Sequence, residues 1–223
     1  MESCDDHVVD EEAGAVFDAL ADHYDDNAEH AQIAAALVRL TGTAAVDLVV
    51  DVATGTGAAA FAALELRAPA RIVAIDISAA MLSVARRRAA TGDPGRRIRW
   101  LQCTALPLPL ADGSVDLLLC ASSLHFLGRE ALSDWQRVLR PGGQAAFSLP
   151  TTSSFRPSPQ FRRLLPAASI RLPASRDDAG RLLEGTGLRL QRAAELPVGA
   201  CERRVVLVLA GIPSRPGDIW HDR

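Results

Sequence analysis

The residues best placed to do chemistry begin at Asp51-Val52-Ala53-Thr54-Gly55-Thr56-Gly57, which closes a continuous apolar run. Glycine permits a tight turn and lets a ligand approach the backbone with no Cβ in the way. Such a turn, after a strand and before a helix, makes a crevice for a nucleoside-containing cofactor. Asp76 ends the next apolar run, nineteen residues beyond Gly57, where a carboxylate can accept hydrogen bonds from ribose hydroxyls. A dinucleotide loop would need GxGxxG, but the third glycine position is Ala60. The chain has no GKS or GKT, and no lysine at all. Phosphate binding is therefore the lesser hypothesis.

For proton transfer, His125 follows a predicted strand in CASSLHFL, at the sheet edge where substrates enter an α/β fold. His23, beside Tyr24, is the second candidate. Each could act as a base or orient an acceptor, and a structural hydrogen-bonded histidine is the competing reading of both. His7, His30 and His221 have surface-like neighbours. Metal-assisted chemistry would want convergent carboxylates, and only Asp25 and Asp26 stand near the expected pocket, so no metal is expected. Cys4, Cys103, Cys120 and Cys201 lack zinc-site spacing. Cys103 and Cys120 lie in apolar runs, as reduced buried cysteines do, which points to a cytoplasmic compartment.

These groups need a framework. Apolar spacing predicts helices over 13–21 and 28–41, then a buried strand within 45–57. A helix at 58–67, a strand at 71–76, a helix at 79–90 and strands near 97–103 and 115–121 follow. A helix at 129–139 and a strand at 144–149 complete the alternation, which implies an α/β, doubly wound, Rossmann-like parallel sheet. Beyond it the sequence predicts a short helix at 160–165, a helix at 175–185 and strands at 187–195 and 201–211. The expected organisation is an N-terminal helical cover over 1–42 and a cofactor-binding domain over 43–211, with 150–185 as the substrate-pocket segment. Residues 212–223 read as a loosely held tail.

The chain has 223 residues, of which 48% are hydrophobic and 23% charged, which suits one soluble core. Its net charge of −3 gives no nucleic-acid footprint, and Arg86, Arg87 and Arg88 read as a solvated helix face. MESCDDHVVDEE lacks the basic-then-apolar pattern of a secretory signal, and no run approaches the roughly 18 apolar residues of a membrane span. A small-molecule substrate is the expected partner, and a homodimer stays open.

Five ordered segments carry a resemblance: VFDALADHYD (16–25), VVDVATGTG (49–57), IVAIDISAAML (72–82), ALPLPLADGSVDLLLCASSLHFL (105–127) and RVLRPGG (137–143). Together they resemble the class I S-adenosylmethionine-dependent methyltransferases, particularly the small ubiquinone/menaquinone C-methyltransferases. The resemblance implies a seven-stranded sheet, mostly parallel with an antiparallel last strand, and S-adenosylmethionine as cofactor. It implies that Gly55 and Gly57 face the methionine portion, that Asp51 helps receive its amino group and that Ala53 belongs to the cofactor site. Asp76 would bind the ribose hydroxyls, with Ile77 and Met81 near the adenine; core packing is the competing reading of Met81. Tyr24 would close over the cofactor, and Ala105, Cys120 and Ala121 would line it. Thr104 stands where the family commonly has an acid facing the adenine amino group; it can accept a hydrogen bond without the charge, or Gln102 can compensate.

The resemblance implies methyl transfer to a carbon or oxygen of a small, partly apolar metabolite. Phe126, Phe155, Phe161 and Leu164 would wall the acceptor pocket. Arg156, Arg162 and Arg163 could orient a carboxylate or phosphate, with simple solvent exposure as the competing reading. The rivals are a nonmethylating protein of the same fold and, less favoured, a nicotinamide-dependent oxidoreductase.

Overall fold

The structure, a computed structural model, describes residues 11–26, 28–165, 170–199 and 203–214. Among these, strands β1 (Leu48–Val52), β2 (Arg71–Asp76), β3 (Ile98–Gln102), β4 (Val115–Cys120), β5 (Leu139–Pro150), β6 (Arg189–Val198) and β7 (Arg203–Gly211) form one sheet. Their order is β3-β2-β1-β4-β5-β7-β6. The first five pair in parallel, and β7 runs antiparallel to both β5 and β6, as expected. The chain direction across the sheet reverses between β1 and β4, so the loops after these strands part and leave a crevice there.

The helices are α1 (Glu11–Asp18), α2 (Glu29–Leu40), α3 (Ala58–Arg67), α4 (Ala79–Gly92), α5 (Leu124–Leu127), α6 (Glu130–Val138), α7 (Pro159–Arg163) and α8 (Ala179–Leu182). Three-residue-per-turn segments at Ala21–Asp26 and Arg176–Asp178 complete the described elements. Strand alternation sends Val50, Val52, Leu118 and Phe147 to one face, where Trp135 of α6 covers them. Val49, Ile72, Leu117 and Leu119 point to the other, beneath the small side chains Ala59, Ala60 and Ala63 of α3. These strand residues are fully buried because helices cover both faces of the sheet, which is why they read as continuous apolar runs.

Helix α2 belongs to this core. Ile33, Ala34, Leu37 and Val38 are buried with α3 and the sheet, so 28–41 supports the domain as one of its layers. Among the described residues, α1 and the Ala21–Asp26 turn lie over the crevice, and Glu29, His30 and Ile33 near the start of α2 also face it. The helix predicted at 175–185 is broken into two short pieces. Ser175 and Asp178 form a reciprocal cap at its start, and Gly185 ends the segment in a left-handed conformation (φ +72°). Ile212 is tied to the sheet, its N–H donating to Gly143 O while Gly142 N–H donates to Ile212 O. The rest of the expected tail, from 215, lies outside the described residues.

Candidate active site

The loop after β1 is built around two carboxylates. Asp51 is 1% exposed, and its Oδ2 accepts from Thr54 Oγ1 at 2.5 Å and from Ala60 N at 2.9 Å, which pins the first turn of α3 to the strand. Burial pushes the Asp51 carboxyl up to about 7, with the two donors opposing the shift and the Asp76 charge adding to it. Asp76 closes β2 and accepts from Gly55 N at 2.6 Å and Ser78 N at 2.9 Å, one bond to each oxygen. Gly55 holds φ +55°, a left-handed conformation that suits glycine and turns its N–H onto Asp76. Burial also raises the Asp76 carboxyl, against the pull of these N–H groups.

Around Asp76 opens an inner cavity of about 220 Å³. Ala53, Gly55, Ile77, Met81, Thr104 and Ala105 line it together with Asp76, and Leu106, Ser123 and Leu127 complete its walls. Asp76 is the one charged residue among its described lining, and no arginine reaches it. The cavity therefore offers an apolar slot for a flat ring, an acceptor pair for hydroxyls and a negative environment suited to a cation. A pyrophosphate would meet a carboxylate there.

The roof comes from the N-terminal segment. Ala13 and Phe17 of α1 line the inner cavity from above, with Tyr24 and Leu164 beside them. Asp18, the last residue of α1, accepts from Ser78 Oγ and from Ala80 N, so α1 is latched onto the first turn of α4. Asp25 accepts from Thr56 Oγ1 at 2.8 Å and pairs with Arg88 at 2.9 Å, which fastens the Ala21–Asp26 turn to the glycine loop. Tyr24 stacks on His30 with 4.3 Å between centroids. Burial, followed by the charges of Asp76 and Asp25, pushes its phenol up to about 12, so Tyr24 stays protonated.

An outer cavity of about 550 Å³ adjoins the inner one and shares Phe17, Tyr24 and Phe126 with it. Its lining includes both candidate histidines, His125 and His23, and the expected Phe126, Phe155, Arg156 and Phe161. His125 is 8% exposed, lies 4.2 Å from the Phe126 ring and meets Phe155 edge-on at 5.1 Å. Burial lowers its pKa to about 4, so the ring is neutral at neutral pH. Its Nδ1 is buried with no hydrogen-bond partner among the described residues. His23 is exposed at the cavity rim and bonded to Asp26.

Four expected cofactor residues do not reach the inner cavity. The Asp51 carboxylate is spent inside the loop, on Thr54 and α3. Gly57 faces away: a Cβ there would lie 2.6 Å from the Trp100 ring and 3.0 Å from Phe61, so this glycine serves the packing of α3. Cys120 is fully buried in the sheet core, where burial raises its thiol pKa, and Ala121 packs against the opposite core face. Thr104 is in place, its hydroxyl donating to Leu106 O at 3.3 Å with its oxygen still able to accept. Gln102 Nε2 donates instead to Ile77 O at 3.3 Å, and the residue is not among those lining either cavity. Arg162 and Arg163 are exposed and line neither cavity, and Leu164 walls the inner one.

Sequence reasoning did not single out Phe17 as a site residue, although it lies on the apolar face of the 13–21 helix and in the VFDALADHYD segment that carries the resemblance. It also missed Arg203 and Arg204, which line the outer cavity from the start of β7. The stripe on α1 was a usable signal, because α1 has no other core to face. No sequence signal brings the start of β7 beside residues some fifty positions earlier.

Residues 49–143 match the family described as a methyltransferase domain. The ubiquinone/menaquinone biosynthesis C-methyltransferase of Paracoccus denitrificans is 38% identical over 96 residues, which are 42% of this chain and 38% of that protein. The demethylmenaquinone methyltransferase of Thermus thermophilus is 37% identical over 98 residues, 43% of this chain and 44% of that one. The chain thus spans less than half the length of these curated relatives. In three dimensions it superposes on a SAM-dependent methyltransferase from Aquifex aeolicus with a TM-score of 0.62 and 20% identity, covering 88% of this chain and 97% of the other. The chain resembles the class I S-adenosylmethionine-dependent methyltransferases in fold and in its central motifs.

Proposed function

We propose that the chain transfers a methyl group from S-adenosylmethionine to a carbon or oxygen of a small, partly apolar metabolite. The observation that carries this reading is the pair of cavities that meet at Phe17, Tyr24 and Phe126, one built around Asp76 and the glycine loop, the other around His125 and phenylalanine rings. The residues of the inner cavity fit the cofactor: Asp76 keeps lone pairs for ribose hydroxyls, Ile77, Met81 and Leu106 form an apolar slot for adenine, and the negative lining suits a sulfonium. When bound, the cofactor supplies an activated methyl group, so the protein has to align the acceptor and exclude water. Phe17, Tyr24 and Phe126 do the excluding at the junction, and the Asp18 latch holds the roof down.

His125 orients the acceptor as a hydrogen-bond donor in this scheme. A buried N–H without a partner costs more than a buried lone pair without one, so the proton belongs on Nε2 and the orphaned Nδ1 carries the lone pair. Nε2–H then faces the outer cavity and can hold an acceptor oxygen. His23, exposed and paired with Asp26, has a lesser part at the rim. The same reading assigns the reaction to the cytoplasm, with no nucleic-acid partner; among the described residues no helix is long and apolar enough to cross a membrane.

Asp76→Asn tests the cofactor assignment. The amide would place a donor against Gly55 N–H, Ser78 N–H or a ribose hydroxyl, and binding of S-adenosylhomocysteine should weaken by a factor corresponding to about 1–3 kcal/mol. Unchanged calorimetric affinity in a folded variant would contradict it.

A further inference from the structure

The outer cavity has an uneven charge inventory. Among the described residues, its lining holds three guanidinium groups, Arg156, Arg203 and Arg204, and one acid, Glu29. Glu29 is committed to Arg203, and Arg204 is paired with Glu195 at 3.0 Å. Arg156 pairs with no carboxylate among the described residues. Its Nη1 donates to Phe155 O at 2.9 Å and to Thr152 O at 3.4 Å, which anchors the guanidinium at the cavity. The Nε and Nη2 hydrogens, which form the fork that matches a carboxylate, are left for a ligand.

Beside this cation stand the rings. Phe17 lies 5.8 Å from Phe126 and 5.9 Å from Phe161, and Phe126 lies 5.7 Å from Phe161. Phe155 joins them through its edge contact with His125. The rings form an apolar wall of the cavity that also holds Arg156, and two of them, Phe17 and Phe126, stand at the junction with the inner cavity.

We propose that the methyl acceptor is a carboxylate with a flat, apolar body, its anionic group held by Arg156 and its body packed against Phe126, Phe155 and Phe161. This rests on the methyltransferase reading, since it names the acceptor class of that site. One uncompensated guanidinium matches one negative charge. A phosphate dianion would bring a second charge, and among the described lining residues the other two guanidinium groups, Arg203 and Arg204, are already paired with carboxylates. The phenylalanine rings give the body dispersion contacts, while Arg156, itself exposed, meets the anionic group at the mouth of the cavity with a charge-assisted fork.

Calorimetry with 2-naphthoate, its neutral analogue 2-naphthamide and 2-naphthyl phosphate tests this, on the full chain with and without saturating S-adenosylhomocysteine. The expected result is that 2-naphthoate binds at least about tenfold more tightly than the amide and the phosphate. Arg156→Gln should erase that preference without changing S-adenosylhomocysteine affinity, and Arg189→Gln, an exposed control on β6, should retain it. Equal affinity for naphthoate and naphthamide, stronger binding of the phosphate, a preference that survives Arg156→Gln, or no binding of any probe overturns the proposal. If S-adenosylhomocysteine fails to bind while naphthoate still discriminates through Arg156, the cofactor reading falls and the carboxylate site stands.

Discussion

At the scale of single residues, the site separates acids by what their oxygens already hold. Asp51 and Asp76 are both buried carboxylates at strand ends, yet only Asp76 lines the cavity, because Asp51 is consumed by Thr54 and Ala60. Sequence position alone could not tell them apart, since both sit where ligands bind in this fold. His125 shows the same limit: its place at the sheet edge was legible, but its orphaned Nδ1 was not. With its pKa lowered to about 4, His125 should stay neutral across the neutral range. Turnover should then show no His125-dependent limb between pH 5 and 8, and an acid limb only near pH 4. His125→Gln, which keeps a donor, should retain more turnover than His125→Phe. A limb near pH 6.5 that vanishes in His125→Gln would instead make the ring a titrating base.

At the scale of elements, α1 is a roof held at one end by a single side chain. Asp18→Ala removes the acceptor for Ser78 Oγ and Ala80 N. S-adenosylhomocysteine should dissociate several-fold faster from this variant, while its thermal midpoint changes little because α1 contributes little to the main core. Stopped-flow release measures the first and a melting curve the second; unchanged release would separate the latch from the roof. Gly57→Ala should act in the opposite way, on stability, because φ is +89° and the added Cβ would lie 2.6 Å from the Trp100 ring. A loss of about 1–3 kcal/mol in denaturant unfolding is expected.

The elements that sequence placed well, such as α3 and β2, are those whose apolar pattern is set by burial against the sheet. It predicted no helix where α5 lies. Ser122 takes a left-handed conformation (φ +63°) and its N–H donates to Ser148 Oγ at 2.7 Å, a contact with β5 that turns the chain outward and sets the His125 helix. That hydrogen bond spans 26 residues and leaves no local pattern.

At the scale of the whole molecule, the sheet reversal between β1 and β4 brings the glycine loop, Asp76 and α5 to one edge, and the start of β7 adds the arginines of the outer cavity. The topology was legible in the alternation of strands and helices. The division into two cavities was not, because it depends on where Phe17, Tyr24 and Phe126 meet. Burying Asp51 at this edge should also mark global stability. Its pKa is raised from 3.8 to about 7, so the folded state holds the proton more tightly and its contribution is full below the unfolded value. Stability should fall as pH rises from 3.8 towards 7, by at most about 4 kcal/mol from this group, and Asp51→Asn should flatten that slope in urea titrations. The same slope in the variant would show that another group causes it.

As proposed, the inner cavity takes an adenosyl sulfur cofactor and rejects a pyrophosphate. Parallel calorimetric titrations of the cofactor-free protein with S-adenosylmethionine, S-adenosylhomocysteine and NAD test it most directly. Binding of both adenosyl compounds with none for NAD is the predicted result; NAD binding, or no binding of either adenosyl compound, would contradict it.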